Sequence, residues 1–332
     1  MSHLSITLVQ HLLIRFIKYK FKTFFMIWRK KMSKTFSESE KHILSMLSVG
    51  KKLILDKTQY IVIKSGKPTC SSGEPKTDIY IKAKNLSCSA KDIELKISYK
   101  QDNADFLENK MTAERAEQIL GTDWKNIIIK STEKLREEFE KRPLIYKEGY
   151  RRTEKGCFTL GWKFELLRIK SGELSEKLDL TRAQVRDVYS GSNISEDKKN
   201  SFIDNERVNN SGIANYILRG DIDNFNNTQD IIDNMISIDE YIKEYPDIFF
   251  ACKALNYRSF KDKWDGDRPL AVYIKWDLKN DKLYSKIKYD NPLLMRGNEV
   301  VSGLKRILEQ LKIKNTKDIN SNNCYNSEII YQ

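Results

Sequence analysis

Polar and apolar residues alternate through two neighbouring stretches, residues 78–84 and 92–100, and a period of two predicts β-strands. In the first, Ile79, Ile81 and Ala83 oppose Asp78, Tyr80 and Lys82. In the second, Ile93, Leu95, Ile97 and Tyr99 oppose Glu94, Lys96, Ser98 and Lys100. One face of each strand reads as core and the other as charged. The β-branched run at residues 59–65 predicts a strand before them, followed by the turn-rich segment GKPTCSSGEPKT.

Upstream, Ile43, Leu44, Met46, Leu47 and Leu53 recur at helical spacing, with Ser37 or Ser39 as N-cap and Gly50 near the stop, predicting a helix of about three turns. Downstream, MTAERAEQILG predicts a helix capped by Thr112 and ended by Gly121, and a second helix runs on to Pro143. Residues 156–172 predict a strand or hairpin arm, and residues 190–234, rich in Asn, Asp, Ser and Gly, a boundary or insertion of loops and short helices. LAVYIKWDLKNDKLYSKIKYD predicts two strands about an Asn-Asp turn, NEVVSGLKRILEQLKI an amphipathic helix, and the tail after residue 315 a partly frayed end. This order predicts an α+β (α/β) fold, a mixed sheet with helical cover.

Charge narrows the partners. The 332 residues carry 59 Lys+Arg against 46 Asp+Glu, a formal net charge of +13 that points to a polyanion. Seven of the basic residues and no acidic one lie in residues 1–31, leaving a body of 52 basic and 46 acidic groups. The first segment is interrupted by Arg15 and lysines too early to span a bilayer, so no stable membrane insertion is expected. It reads as a translated upstream extension, with Met32 an alternative start, or else as a basic amphipathic helix.

Five cysteines without C-x-x-C spacing argue against structural zinc and fit a reducing, cytoplasmic location. Three histidines, His3, His11 and His42, leave little for a histidine-based triad.

The charged face carries the candidate chemistry. If the two strands pair, Asp78 approaches the side of the neighbour bearing Glu94 and Lys96. Asp78 and Glu94 then offer hard oxygen ligands to one or two Mg²⁺ ions, and Lys96 is the group to orient or deprotonate a water in phosphodiester hydrolysis. The tripeptide [DE]-x-K occurs seven times in this lysine-rich chain, and five of the seven fall in predicted loops or helices. The alternative for Glu94-Leu95-Lys96 is a solvated sheet edge with cross-strand ion pairs. Lys100, Gln101 and Asn103, following the second strand, are candidate DNA contacts.

Asp78, fifteen intervening residues and then Glu94-Leu95-Lys96 on a hydrophobic strand, preceded by a helix and a strand, resembles the PD-(D/E)xK nuclease core. The chain's size resembles that of type II restriction endonucleases. The likeness covers residues 40–170 and departs from the motif's name at Thr77, where the name has Pro. It implies Asp78 and Glu94 as metal ligands, the main-chain carbonyl of Leu95 as a further ligand, Lys96 as the catalytic lysine, and Glu38 or Glu40 as an auxiliary acid.

It also implies a restriction-endonuclease-like core over residues 32–172, a DNA-recognition and dimerisation region over 173–315 and a polar tail over 316–332. The function so implied is that of a Mg²⁺-dependent homodimer cutting double-stranded DNA at a short specific sequence, with a cognate methyltransferase protecting host DNA. A related nuclease of repair, recombination or another anti-phage system, and a non-enzymatic nucleic-acid- or membrane-binding protein, are the alternatives.

Overall fold

The computed structural model describes residues 38–87, 91–102 and 105–332. Two sheets carry the chain. The first begins with β1 (Lys52–Leu55), β2 (Thr58–Gly66), β3 (Ile79–Asn85) and β4 (Ile93–Lys100), an antiparallel meander, and continues through the strands Tyr216–Arg219 and Met235–Ser237. Tyr216–Arg219 runs parallel to β4, with Tyr216 beside Ile97 and Arg219 beside Lys100.

On one face, Ile79, Ile81, Ala83, Leu95, Ile97 and Tyr99 meet Ile43 of helix α1 (residues 38–46), Leu47 just after it, and Ile231 and Ile232 of the helix Thr228–Asn234. Every one of these side chains is buried, which is the alternation read from the sequence turned into a core.

The second sheet is built on the long antiparallel pair Cys157–Leu167 and Ile248–Arg258, flanked by the hairpin Val272–Lys279 and Lys282–Lys288. The helices Ala113–Leu120, Trp124–Glu133, Arg182–Ser190 and Gly297–Gln310 pack their apolar sides on it. Gly161 allows a close approach, since a Cβ there would lie 2.5 Å from the Val272 carbonyl oxygen. Helices cover sheets throughout, giving a mixed α+β architecture.

Four sequence expectations change. Leu53 does not continue the first helix: Gly50 takes φ +87° and the chain re-enters as β1, whose Leu53 is buried between exposed Lys52 and Ile54. The helix expected to run to Pro143 divides into Trp124–Glu133 and Arg136–Glu140, and Thr132 at the break donates its hydroxyl back to the Ile128 carbonyl. The Asn- and Asp-rich region contains Tyr216–Arg219, a four-residue strand inside the first sheet. The tail is tied down, with Ile330–Tyr331 pairing in parallel with Ile145–Tyr146.

Asn215 makes the junction between β4 and its parallel neighbour. Its side-chain oxygen accepts from the Lys96 amide at 2.7 Å, its side-chain nitrogen donates to the Glu94 carbonyl at 2.9 Å, and its own amide donates to the Lys96 carbonyl at 2.9 Å. A side chain thus stands in for one rung of the ladder, and its loss strands two main-chain groups of β4. Asn215→Ala should lower unfolding stability by about 1–3 kcal/mol in urea titration, whereas an unchanged midpoint would mean that water replaces the amide freely.

Candidate active site

Asp78 sits at the entry to β3, placed by the two residues before it. The Lys76 and Thr77 amides donate to the Gly212 carbonyl at 3.0 and 3.2 Å, and Gly212 allows no substituent there, since a Cβ would fall 1.8 Å from the Lys198 carbonyl oxygen. The Asp78 amide donates to the Ile97 carbonyl at 2.9 Å. Its carboxylate then takes the place of the next main-chain acceptor: Oδ2 accepts the Tyr99 amide at 2.8 Å and the Ser98 hydroxyl at 3.4 Å, with the Lys100 ammonium 3.7 Å away.

The β3–β4 register decides which charges are neighbours. Tyr80 pairs with Lys96 and Lys82 with Glu94, so continuing the ladder sets Asp78 opposite Ser98. Glu94 is four residues from that position, about 13 Å along the strand, too far for one ion to bridge the two carboxylates. Asp78 is instead flanked along the polar face by Lys96 on one side and Lys100 on the other, and the ammonium in contact is that of Lys100.

A second carboxylate lies within electrostatic reach of Asp78. Glu40 on α1 is buried, its Oε2 2.6 Å from the Lys67 ammonium, and the charges of Asp78 and Lys100 act on it. Burial raises the Glu40 pKa above the ordinary carboxylate range; the bond to Lys67 opposes the rise and the charge of Asp78 adds to it. Burial pulls Lys67 the other way, but its bond and attraction to Glu40 prevail and raise it.

Gln101 donates its side-chain amide to the hydroxyl of Ser39 on the same helix at 3.4 Å, closing the strand end onto α1. Glu38 is exposed. Of the acids the likeness implied, Glu40 is the one brought to Asp78.

Glu94 and Lys96 lie further along the same face. Glu94 Oε1 accepts the phenol of buried Tyr80 at 2.9 Å, and burial together with that bond drives the Tyr80 pKa far up. Burial lowers the Lys96 pKa, and Glu94 offsets part of the fall. Leu95 pairs with Ile81 inside the ladder and its side chain is core. Asn103 lies outside the described residues.

Sequence reasoning missed Lys67, which the turn-rich segment hid, and Tyr80, whose aromatic character marked it on the polar face of an otherwise charged strand. The register that separates Asp78 from Glu94 leaves no trace in their spacing.

Among the described residues no three His, Cys, Asp or Glu side chains converge as a ligand set. Mg²⁺ is bound through one or two carboxylates with water and substrate phosphate completing its shell, and Asp78, with Glu40 within electrostatic reach, is a donor type that fits that ion. Comparison with family models, curated proteins and solved structures finds no match to this chain.

Lys76, two residues before Asp78, is buried against Glu108 at 3.0 Å, and Arg115 bonds the same carboxylate at 3.0 Å. Burial alone raises the Glu108 pKa, but the two cations outweigh it and hold the carboxyl below its ordinary 4.5. A depressed acid contributes stability that is full above 4.5 and is lost as pH falls through its folded value. Chemical denaturation across acid pH should therefore fall more steeply below about pH 4.5 in the wild-type chain than in Glu108→Gln. Parallel pH profiles would remove Glu108 from the acid transition.

Proposed function

We propose that the chain is a Mg²⁺-dependent endonuclease of the type II restriction class, hydrolysing double-stranded DNA at a specific short sequence from a centre at the β3–β4 end of the first sheet. The observation that carries this reading is the Asp78 carboxylate fixed at the head of β3 with the Lys100 ammonium 3.7 Å away, at a sheet end where buried Glu40 of α1 lies within electrostatic reach. The likeness to the PD-(D/E)xK pattern supports the activity. The register favours Lys100 over Lys96 as the lysine beside Asp78 and sets Glu94 too far along the strand to share an ion with it, which leaves Glu40 as the candidate second acid.

Asp78 and Glu40 would hold the metal, which when bound polarises the scissile phosphate and acidifies water. The chain's own contributions are positional and electrostatic. The Tyr99 amide fixes one oxygen of Asp78, Lys67 fixes Glu40, and Lys100 sets a cation where charge grows on the phosphate oxygens. The oxygen of the attacking water bonds phosphorus as the bond from phosphorus to the 3′ oxygen breaks; the water's proton passes to solvent, and the departing 3′ oxygen takes one from solvent, leaving a 5′ phosphate and a 3′ hydroxyl. In this reading the protein acts in the cytoplasm as a homodimer on a two-fold site, beside a methyltransferase that protects host DNA.

The test is cleavage of unmethylated plasmid with Mg²⁺. The wild-type chain should give discrete bands, abolished by EDTA. Asp78→Asn keeps an oxygen for the Tyr99 amide, so its melting temperature should hold while cleavage falls roughly 10²-fold or more. Lys100→Ala should lose a comparable factor and Lys96→Ala less than about ten-fold. Loss confined to Lys96→Ala would return the chemistry to Glu94 and Lys96. Folded protein that leaves several unmodified DNAs intact, or degrades only ends and branches, would overturn the restriction reading.

A further inference from the structure

The hairpin Val272–Lys279 and Lys282–Lys288 turns a second charged face outward, and here lysine stands opposite lysine across the ladder. Its turn, Asn280-Asp281, has φ of +52° and +55°, which locks a two-residue connection and leaves the register no freedom. Trp276 and Leu283 are buried on the inner face. Alternation therefore sends Lys275, Lys279, Lys282, Lys286 and Lys288 to the outer one.

The register then sets Lys275 directly opposite Lys286, and Lys279 directly opposite Lys282. Like charges directly opposed across a ladder are destabilising, and this hairpin contains two such pairs. Asp277 pairs with Lys275 at 3.0 Å and Asp290 with Lys288 at 3.0 Å, so two acids face five ammonium groups. A solvated face under no constraint has an inexpensive remedy in a single Glu opposite a Lys, and the chain does not use it.

We propose that this outer face binds the phosphate backbone of duplex DNA. The choice of DNA as the polyanion rests on the nuclease reading; the presence of a polyanion rests on the opposed lysines. The eight residues of the first strand give a flat ribbon about 25 Å long, enough to follow several successive phosphates.

Backbone contact is favoured over base stacking by what lies on the aromatic rings. Tyr325, carried in by the tail, packs edge-on to Tyr284 with centroids 5.6 Å apart. The Lys279 ammonium lies 4.2 Å from the Tyr325 centroid and 5.3 Å from that of Tyr284. A ring with an ammonium over it is a poor platform for an unpaired base. The tail is held by main-chain bonds, Leu283 amide to Asn323 carbonyl at 2.8 Å and Tyr325 amide to Leu283 carbonyl at 2.9 Å, so this arrangement belongs to the fold.

Binding is measured in EDTA, by fluorescence anisotropy of a labelled 30-base-pair duplex of arbitrary sequence across a salt series. Without metal the readout is independent of cleavage. Lys275→Gln/Lys286→Gln, which removes one opposed pair, should weaken binding roughly ten-fold at moderate salt and flatten the logarithmic salt slope by about 1.8. Asp277→Asn should tighten binding, a gain that misfolding cannot produce.

Lys177→Gln, at an exposed lysine on a strand of the same sheet away from the hairpin, should bind as wild type does, which separates this surface from the general basic excess. The basic residues of 1–31 are common to all these proteins and cancel in the comparison. Equal affinity and slope for the double variant, or single-stranded DNA bound as tightly as duplex, would overturn the proposal whether or not the protein cleaves DNA.

Discussion

A run of buried charges sets where the first sheet begins. Lys76 meets Glu108, Glu108 meets Arg115, and Arg115 meets Asp187 at 2.7 Å, joining four separate segments: the approach to β3, the strand Phe106–Glu108, and the helices Ala113–Leu120 and Arg182–Ser190. Asp187 is fully buried and its other oxygen accepts the Asn193 amide at 2.6 Å and the Ser192 hydroxyl at 3.2 Å. Two cations and two anions are matched, so no member is left as an uncompensated charge, the condition that costs several kcal/mol in an interior. Removing any one member exposes the next, which makes the four segments move as a unit.

The consequence for the candidate centre is geometric. Lys76 also donates to the Leu107 carbonyl at 2.8 Å, so both its main chain and its side chain are committed before β3 starts. Asp78 follows two residues later with its own amide and one carboxylate oxygen used in the sheet. An acid held in this way cannot swing toward Glu94, and its neighbours are those that the ladder end and α1 deliver. The second sheet therefore contributes to the centre without supplying a side chain to it. Its helices Ala113–Leu120 and Arg182–Ser190 hold the anchor of the strand that carries Asp78.

The sequence made the elements legible wherever period and punctuation agreed. The β3–β4 alternation, the Thr112 cap that accepts the Arg115 amide, and the Asn280-Asp281 turn are local signals, and each appears in the fold where expected. What was not legible is long-range. Tyr216–Arg219 is four residues in an Asn- and Asp-rich stretch, and it is a strand because β4 offers it a parallel edge and Asn215 completes the join. Leu53 fits a helical period as well as a strand one, and only Gly50 at φ +87° decides between them. The site shares this limit: Asp78, Glu94 and Lys96 lie on one face, but residue spacing does not state register, and register moved the partner of Asp78 from Glu94 to Lys100 and Glu40.

The two charged sheet faces differ in a way that bears on the basic excess of the chain. On β3–β4 the charges have partners: Glu94 takes the Tyr80 phenol, Asp78 takes the Tyr99 amide and the Lys100 ammonium, and Glu40 takes Lys67. Such a face is internally balanced, and burial beside it raises the Glu40 pKa and lowers that of Lys96. On the hairpin Val272–Lys288 two pairs of lysines stand directly opposed, Lys275, Lys279 and Lys286 exposed and Lys282 half-buried with its ammonium on the Ser321 carbonyl, and two acids pair only Lys275 and Lys288. Repulsion of that kind weakens the isolated hairpin; on the proposed reading it would be relieved by phosphates, so that the residues that cost stability in the free chain would return it on binding. A balanced centre and an unbalanced flank fit a division of labour in which one face transforms a polyanion and another holds it. The modest net charge of the body outside residues 1–31 is compatible with this, because what matters to a polyanion is where the cations are gathered rather than how many the chain carries.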